Sequence, residues 1–390
     1  MAVTFVHTAD WQLGKPYGSV ASLEKRTELQ RERFAVIDRL GAIVSSTGAQ
    51  FVVVAGDLFD SPSPDRTVVS QACAAIGRLD VPVYVIPGNH DYGGPLGPWE
   101  QRFFQQERDQ LAPNLRILLS AEPVEIDRAI LLPCPLLRRH ESEDLTAWLR
   151  HAEGLFDALP TDKPRIVLAH GSIMGFGASP DEDDPAPSIN RLDLGVLDAA
   201  QYDYIALGDW HGCKQVGANA WYAGTPEPDR FPRGAVYEAG QVLVVAAARG
   251  QTPHIKPTAT GGIGWHLLAH TFVGHEDLDA LDAIYTGRIG TRVNRDLLRL
   301  QLDGALGVTG LAQLDALLHT WEARLLRLDQ RGDVAMAASE DDIARLTQRT
   351  SDPLTARIAA KLHERLSDPA AREQSETCLR ELHLAVMKES

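Results

Sequence analysis

The 390-residue sequence is poor in cysteine: Cys73, Cys134, Cys213 and Cys378 lie far apart, with no CxxC pair and no disulfide framework. That spacing excludes a disulfide-stapled scaffold and points to a reduced, cytoplasmic protein. No apolar run approaches the roughly 18 residues of a membrane span, so no membrane partner is expected, and the N-terminus reads as a strand, not a signal peptide. No internal repeat stands out. Basic charge is also lacking, with 38 Lys and Arg against 53 Asp and Glu and a formal net charge of −15. This argues against a generally adhesive nucleic-acid binder, because affinity for phosphates is largely neutralisation by Lys and Arg. A nuclease stays open, since a local basic rim, a divalent metal or a basic partner would supply the attraction. What is present is an ordinary globular balance, 44% hydrophobic and 23% charged, in a chain long enough for a large core and more than one domain.

Apolar periodicity predicts a β-α-β-α-β opening: strand 3–8, helix 23–45, strand 51–55, helix 67–79 and strand 81–86. The run 51–55 is continuously apolar, as suits a strand buried on both faces. The first helix carries apolar residues at Phe34, Ile37, Leu40 and Val44. This alternation implies an α/β fold with helices covering the sheet faces. Shorter strands follow at 117–119, 129–133, 165–169, 204–207 and 241–246. The loop 175–190 holds an acidic run, Asp181-Glu182-Asp183-Asp184, that suits a solvated tip. The Thr-, Gly- and Pro-rich stretch 256–264 reads as a boundary. Beyond it, strands at 265–273, 297–302 and 333–338 with helices at 276–285 and 311–325 suggest a small two-layer α/β domain. The chain from Glu340 is helical in character, with Pro353 and Pro369 near helix starts. The expected organisation is 1–258, 259–338 and 339–390.

Five times an apolar stretch runs straight into Asp, Asn or His, often beside glycine: Asp10, Gly56-Asp57, Gly88-Asn89-His90-Asp91, His170, and Gly208-Asp209-Trp210-His211. In open α/β sheets ligands gather beyond the carboxyl ends of strands, so these residues share the end where a site forms. A lone Asp after a strand is usually a turn former, and a lone buried His is usually structural. Together, Asp10, Asp57, Asn89, His170, Asp209 and His211 form a mixed oxygen and nitrogen donor set. It suits Mn²⁺, Mg²⁺, Fe²⁺ or Zn²⁺, and two such ions can activate water and clamp a phosphoryl group.

The ordered blocks resemble those of the calcineurin-like metallophosphoesterase superfamily, D-x-H, GD, GNHD, H and GHxH. Within it, the chain resembles the SbcD-like DNA repair exonucleases through His7-Thr-Ala-Asp-Trp-Gln-Leu-Gly-Lys15, Gly56-Asp-Leu-Phe-Asp60, Pro87-Gly-Asn-His-Asp91, His170-Gly171 and Tyr222-Ala-Gly-Thr-Pro-Glu227. The resemblance covers about the first 230 residues. It implies a four-layer sandwich, two central mixed sheets flanked by helices, with a small α/β capping domain and a helical C-terminal tail. It implies two divalent ions, Mn²⁺ foremost: Asp10, Asp57 and His211 on the first, with Asp57 bridging to a second held by Asn89, His170 and Asp209. His90 would be no ligand but would assist the leaving oxygen, oriented by Asp91, after in-line attack by metal-bound hydroxide. DNA, an SbcC-like coiled-coil ATPase docked on the tail, and a second copy of the chain are the implied partners.

Two positions depart from the family pattern. Gln12 stands where D-x-H has histidine, and Asp209 where GHxH has its first histidine. Gln12 is either a ligand through its amide oxygen or withdrawn to hold a neighbour. Asp209 adds negative charge, which favours hard ions. Trp11 and Trp210 flank ligand positions, as packing aromatics or as stacking platforms for bases. Lys15, Arg138, Arg139, Lys214 and Arg230 are candidates for contacts to a DNA backbone, and Cys213 is a bystander. The expected function is a metal-dependent DNA exonuclease. The rivals are a phosphodiesterase or phosphatase for a small nucleotide and a non-catalytic scaffold subunit.

Overall fold

A computed structural model describes residues 2–95, 97–151, 153–157, 159–173, 189–197, 201–232, 237–273, 277–336, 340–368 and 371–388. The acidic run at 181–184 and Pro369 lie outside the described residues. The chain divides into two compact units, Met1–Trp265 and His266–Ser390.

The first unit opens with β1 (Ala2–Thr8), α1 (Leu23–Thr47), β2 (Val52–Ala55), α2 (Arg66–Gly77), β3 (Val83–Ile86), α3 (Arg102–Leu111) and β4 (Leu115–Ile117). Then come β5 (Val124–Glu125), β6 (Ile130–Cys134), α4 (Glu153–Phe156), β7 (Arg165–His170), β8 (Ser172–Ile173), β9 (Arg191–Leu192), β10 (Tyr204–Gly208), β11 (Lys214–Gln215), β12 (Ala220–Tyr222), β13 (Gln241–Ala248) and β14 (His254–Ala259). Two six-stranded mixed sheets result, ordered β14-β13-β1-β2-β3-β4 and β11-β12-β10-β7-β6-β5. Strands β1 to β4 are mutually parallel, as are β6, β7, β10 and β12.

Strand alternation explains how the layers stack. Val3, Phe5 and Val53 from the first sheet meet Ile166, Leu168, Tyr204 and Ala206 from the second in one buried cluster. The intervening Val6, Val52 and Val54 turn the other way, into a core with Val36, Ile37 and Leu40 of α1 and Ala72 and Ile76 of α2. Val167, Ile205 and Leu207 likewise face outward under Leu149, Phe156 and Tyr202. Each central strand is therefore apolar on both faces, which is why these runs read as continuous in the sequence. Among the described residues, the outer cover of the second sheet includes a short 3₁₀ turn (Ala147–His151) and the four-residue α4.

Two expectations are corrected. Residues 256–259, read as part of a boundary from their composition, belong to β14, which pairs antiparallel with β13 from Gln241↔Ala259 to Ala246↔His254. As an edge strand with a largely exposed pattern it tolerates Pro257 and carries no apolar run. In the second unit, the strand expected within 333–338 is described at Ala335–Met336, residues 337–338 lying outside the described residues, and the longer described parallel partner of the central strand is Arg327–Arg331. Its Arg-Leu-Asp-Gln-Arg sequence hides it from any hydrophobic pattern.

That second unit contains β15 (Gly264–Phe272), which starts just before it, α5 (Asp277–Ile289), β16 (Asp296–Leu306), α6 (Val308–Arg324), β17 (Arg327–Arg331) and β18 (Ala335–Met336). Tyr285 of α5 stacks on Trp321 of α6, with ring centroids 4.0 Å apart, over Leu298, Leu300 and Leu302. The helices α7 (Glu340–Thr347), α8 (Pro353–Arg365) and α9 (Arg372–Lys388) share a small core of Leu346, Ala359 and Leu379. Asp352 caps α8 by accepting from the Thr355 amide at 3.1 Å, with Pro353 in the first turn.

Leu168 is fully buried between the sheets. Leu168→Ala is expected to lower stability by about 2–5 kcal/mol through lost transfer energy and a residual cavity. Urea unfolding should show an earlier midpoint for the first unit at unchanged slope; a change within error would mean the two sheets are not packed as described.

Candidate metal centre

The carboxyl ends of β1, β2 and β3 in one sheet and of β7 and β10 in the other deliver the predicted residues. Asp10, Asp57 and His170 are buried and offer ligand atoms within 4.8 Å of one another. Asn89 joins them through its Oδ1, 3.1 Å from His170 Nε2. Asp209 Oδ1 lies 3.9 Å from the same nitrogen, and Asp57 Oδ2 3.7 Å. Five of the seven predicted metal residues thus come together. Gln12 and His211 face each other instead, with Gln12 Nε2 3.4 Å from His211 Nε2.

The backbone is bent to achieve this. Asp10 (φ 54°), Gln12 (φ 42°), Asp57 (φ 55°) and Asp209 (φ 99°) all have positive φ. Such values are uncommon outside glycine and cluster where a fixed geometry is worth its strain. The loops after β1 and β2 hold each other: Asp10 N donates to Gly56 O at 3.1 Å, Gln12 N to Asp57 O at 2.9 Å and Leu13 N to Leu58 O at 2.9 Å. Asp57 Oδ1 in turn accepts from the His90 amide at 2.9 Å, and the Asp209 amide donates to Asp10 Oδ1 at 3.2 Å. Two glycines leave room for side chains. A Cβ on Gly56 would sit 2.1 Å from His170 Nδ1, and one on Gly88 would sit 2.1 Å from Asp57 Oδ1.

Whether the residues fit a cation follows from the donors and acceptors. His170 Nδ1 faces the Ala55 carbonyl at 2.8 Å. A carbonyl only accepts, so Nδ1 carries the proton and Nε2 turns its lone pair toward the oxygens of Asn89, Asp57 and Asp209. Lone pairs meeting lone pairs are favourable only around a positive charge, a metal ion or a proton. Burial works against a charged imidazole, but Asp57, Asp10 and Asp209 outweigh it and raise the His170 pKa to about 9. Burial, reinforced by the Asp57 and Asp209 carboxylates, pushes the Asp10 carboxyl well above its usual range even though His170 opposes it. The set fits a divalent ion.

Several residues act around this cluster that no sequence pattern marked. Arg33, on the core face of α1 and 1% exposed, donates to the carbonyls of Trp11 (2.8 Å), Asp10 (3.1 Å) and Glu227 (3.1 Å) and to Thr225 Oγ1 (3.2 Å). It ties the loop after β1 to the Tyr222–Glu227 turn, where Thr225 Oγ1 also reaches the Asp10 carbonyl at 2.9 Å. Ser172 Oγ donates to Asp209 Oδ2 at 2.8 Å. Asp229, with no exposed side-chain surface, pairs His211 Nδ1 at 3.0 Å and Arg230 at 3.3 Å. Arg33 stands out in the sequence only as a charge within an otherwise apolar helical stripe, whereas Thr225 and His7 lie within the quoted blocks. His7 spans the two sheets, bonded to Tyr204 Oη (2.9 Å) and the Leu207 carbonyl (3.2 Å). Burial lowers its pKa to about 3 despite the Leu207 carbonyl, so it is a neutral structural tie.

Other expectations change. The His90 ring is held not by Asp91 but by the Asp60 carbonyl, 2.9 Å from Nδ1. Asp91 has both oxygens committed to backbone amides, Gly88 N at 2.8 Å and Phe59 N at 3.0 Å. Burial, with Asp57 nearby, raises its carboxyl to about 7. Its work is to fix the loop that carries Asn89 and His90. Trp11 is buried with Nε1 on Thr8 Oγ1 at 3.0 Å, out of reach of any base, while half-buried Trp210 packs edge-on against Tyr237. Lys15 and Arg230 are paired to Asp229, leaving Arg138 and Arg139 as the exposed cations of that group and Lys214 half-buried. All four cysteines are free thiols.

Two mixed sheets whose strand ends gather carboxylate, amide and imidazole donors define an α/β protein with a candidate metal centre. A sequence model described as calcineurin-like phosphoesterase matches residues 3–213, over half the chain, and the chain belongs to that family. Metal-dependent phosphoester hydrolysis is the activity of that domain. Among solved structures, the chain is similar to TT1561 of Thermus thermophilus at 10% identity and a TM-score of 0.38, covering 67% of this chain and 100% of that one. Another structure matches at 15% identity and a TM-score of 0.40, again over 67% of this chain and 100% of the other. No helix among the described residues is long and apolar enough to cross a membrane.

Gly88→Ala is expected to weaken Mn²⁺ binding about 10–100-fold, the usual consequence of displacing a ligand's support. Gly18→Ala, where a new Cβ meets nothing within 4 Å, should leave it unchanged; equal dialysis curves for the two variants would refute the packing of Gly88 on Asp57.

Burial raises the Asp229 pKa, but His211, Arg230 and Lys15 outweigh it and hold the carboxyl well below its usual 3.8. A depressed folded-state pKa contributes stability that is complete above the unfolded value and is lost as pH falls through the folded one. The stability gap between wild type and Asp229→Asn should therefore be full near neutrality and shrink below pH about 3.8. Urea unfolding across that range checks it, and a pH-independent gap would contradict the paired ionisation.

Proposed function

We propose that this chain is a metal-dependent phosphodiester hydrolase acting on DNA, with exonucleolytic character, of the SbcD-like type. The observation that carries the metal-dependent part is the convergence of Asp10, Asp57, His170, Asn89 and Asp209 on one small volume rich in oxygen and nitrogen donors. The nuclease assignment is supported by the HTAD and GDLFD blocks at residues 7–10 and 56–60. A divalent ion bound there, Mn²⁺ foremost, lowers the pKa of water and neutralises charge on the phosphoryl oxygens.

The chain's own residues supply the rest. The Asp60 carbonyl fixes the proton on His90 Nδ1, so Nε2 is the nitrogen that exchanges a proton, and in its charged form it protonates the leaving oxygen of the diester. Asp91, through Gly88 and Phe59, keeps the loop that presents that ring in place. Under this reading the small α/β domain steers DNA toward the strand ends. An SbcC-like coiled-coil ATPase docks on the C-terminal helices, two copies of the chain associate, and the protein works in the cytoplasm.

The test is turnover of bis-p-nitrophenyl phosphate and of linear DNA with Mn²⁺, Mg²⁺ or chelator. Activity should vanish with chelator. His90→Ala should lower the rate about 10²–10⁴-fold with Mn²⁺ affinity kept, whereas Asn89→Ala should lose affinity as well. Cleavage of the small diester with DNA untouched would replace this reading by a small-nucleotide phosphodiesterase. Silence on both substrates, with an SbcC-like partner present, would mark a scaffold subunit.

A further inference from the structure

This inference rests on the hydrolase reading; the family resemblance implies two ions there, with His211 on one of them and Gln12 either a further ligand or withdrawn. The hydrogen bonding of this chain closes that side. Lys15 Nζ lies 2.7 Å from Gln12 Oε1. An ammonium has three donors and no acceptor, so the amide oxygen must be the atom facing it. The amide NH₂ is then the group that faces His211 Nε2, a long contact at 3.4 Å. On its far side the imidazole places Nδ1 3.0 Å from Asp229 Oδ1. Asp229 also faces the cations Arg230 and Lys15, which keep it an acceptor, so Nδ1 carries the proton and Nε2 receives from Gln12.

Both atoms that an ion would need here, the Gln12 oxygen and the His211 Nε2 lone pair, are thus engaged within the protein. The lysine that engages the Gln12 oxygen is anchored in its turn, 3.0 Å from Asp229 Oδ2 and 3.6 Å from Asp60 Oδ1. The other donors form one group. Asp10, Asp57 and His170 meet within 4.8 Å, with Asn89 and Asp209 on the same imidazole nitrogen.

We propose that this centre takes one divalent ion per chain, held by Asp10, Asp57, Asn89, His170 and Asp209, and that Lys15 supplies a fixed positive charge in place of a second ion. Lys15 is a positioning residue: it acts by turning Gln12, and through Gln12 it closes His211. The histidine missing at position 12 and the lysine at position 15 are two parts of one arrangement.

The experiment is a Mn²⁺ titration of the full chain to saturation, with bound ion counted after equilibrium dialysis and its paramagnetic resonance spectrum recorded. Turnover of bis-p-nitrophenyl phosphate is followed in parallel. Wild type should saturate at one ion per chain with the spectrum of an isolated Mn²⁺. Lys15→Met combined with Gln12→His removes the ammonium and restores an imidazole; it should saturate at two, with the spectrum of a magnetically coupled pair. A wild-type chain that saturates at two coupled ions overturns the inference while leaving the hydrolase reading intact, and that count needs no variant. A folded double variant that stays at one ion overturns the role given to Lys15. A wild-type chain that binds no ion and turns over no diester overturns the hydrolase reading itself.

Discussion

Three carboxylates, Asp10, Asp57 and Asp209, aimed at one small volume set the terms for the rest of the first unit. Two like charges about 4 Å apart repel by about 4 kcal/mol at an effective dielectric near 20. A fold that places three of them on adjoining strand ends is therefore working against itself until a cation arrives. His170 answers part of the need, its ring held upright by the Ala55 carbonyl and its free nitrogen turned into the carboxylates. Buried polar networks are costly when half satisfied, which explains why so much of the surrounding structure restrains this group.

That restraint comes from three sources. The parallel strands of both sheets end at the same level, so residues 199 positions apart in the chain become hydrogen-bonded neighbours, as Asp209 and Asp10 do. The left-handed backbone at Asp10, Asp57 and Asp209 turns each carboxylate out of its strand, and aspartate accepts that conformation more readily than most residues. Arg33 reaches from α1 beneath the loops and fixes the carbonyls of Trp11, Asp10 and Glu227 at once. Breaking a buried network of this kind by removing one partner leaves the others unsatisfied, so the helix layer contributes to the site through one side chain as well as through packing.

What the sequence made legible follows from the range of the interactions. Val52–Ala55 and Tyr204–Leu207 are buried on both faces, so each reads as a strand without any knowledge of its neighbours, and the ligand after each is found by position alone. Edge strands lack that signal: β14 exposes most of one face and contains Pro257, and β17 is mostly charged and polar. The supporting residues are hidden for a different reason. Arg33 and Glu227 are partners across 194 positions, and Asp229 finds His211 only because the Tyr222–Glu227 turn folds back. The family resemblance implies that Asp91 orients His90, yet both of its oxygens accept from backbone amides.

Gln12 and Asp209, the two departures from the family pattern, are better understood as a redistribution of charge than as erosion. Asp209 places an additional carboxylate on the His170 side and is itself held by Ser172 Oγ. Gln12 removes an imidazole from the opposite side and gives its oxygen to Lys15. Negative charge is thereby concentrated on the His170 side, and the Lys15 ammonium stands beside Gln12 on the other. A decaying site would lose ligands independently of one another. Here the lost histidine is matched by an ammonium with three polar neighbours, the added carboxylate is matched by a serine hydroxyl, and His90 keeps its Asp60 partner. Each departure from the family pattern thus has a local partner in this structure.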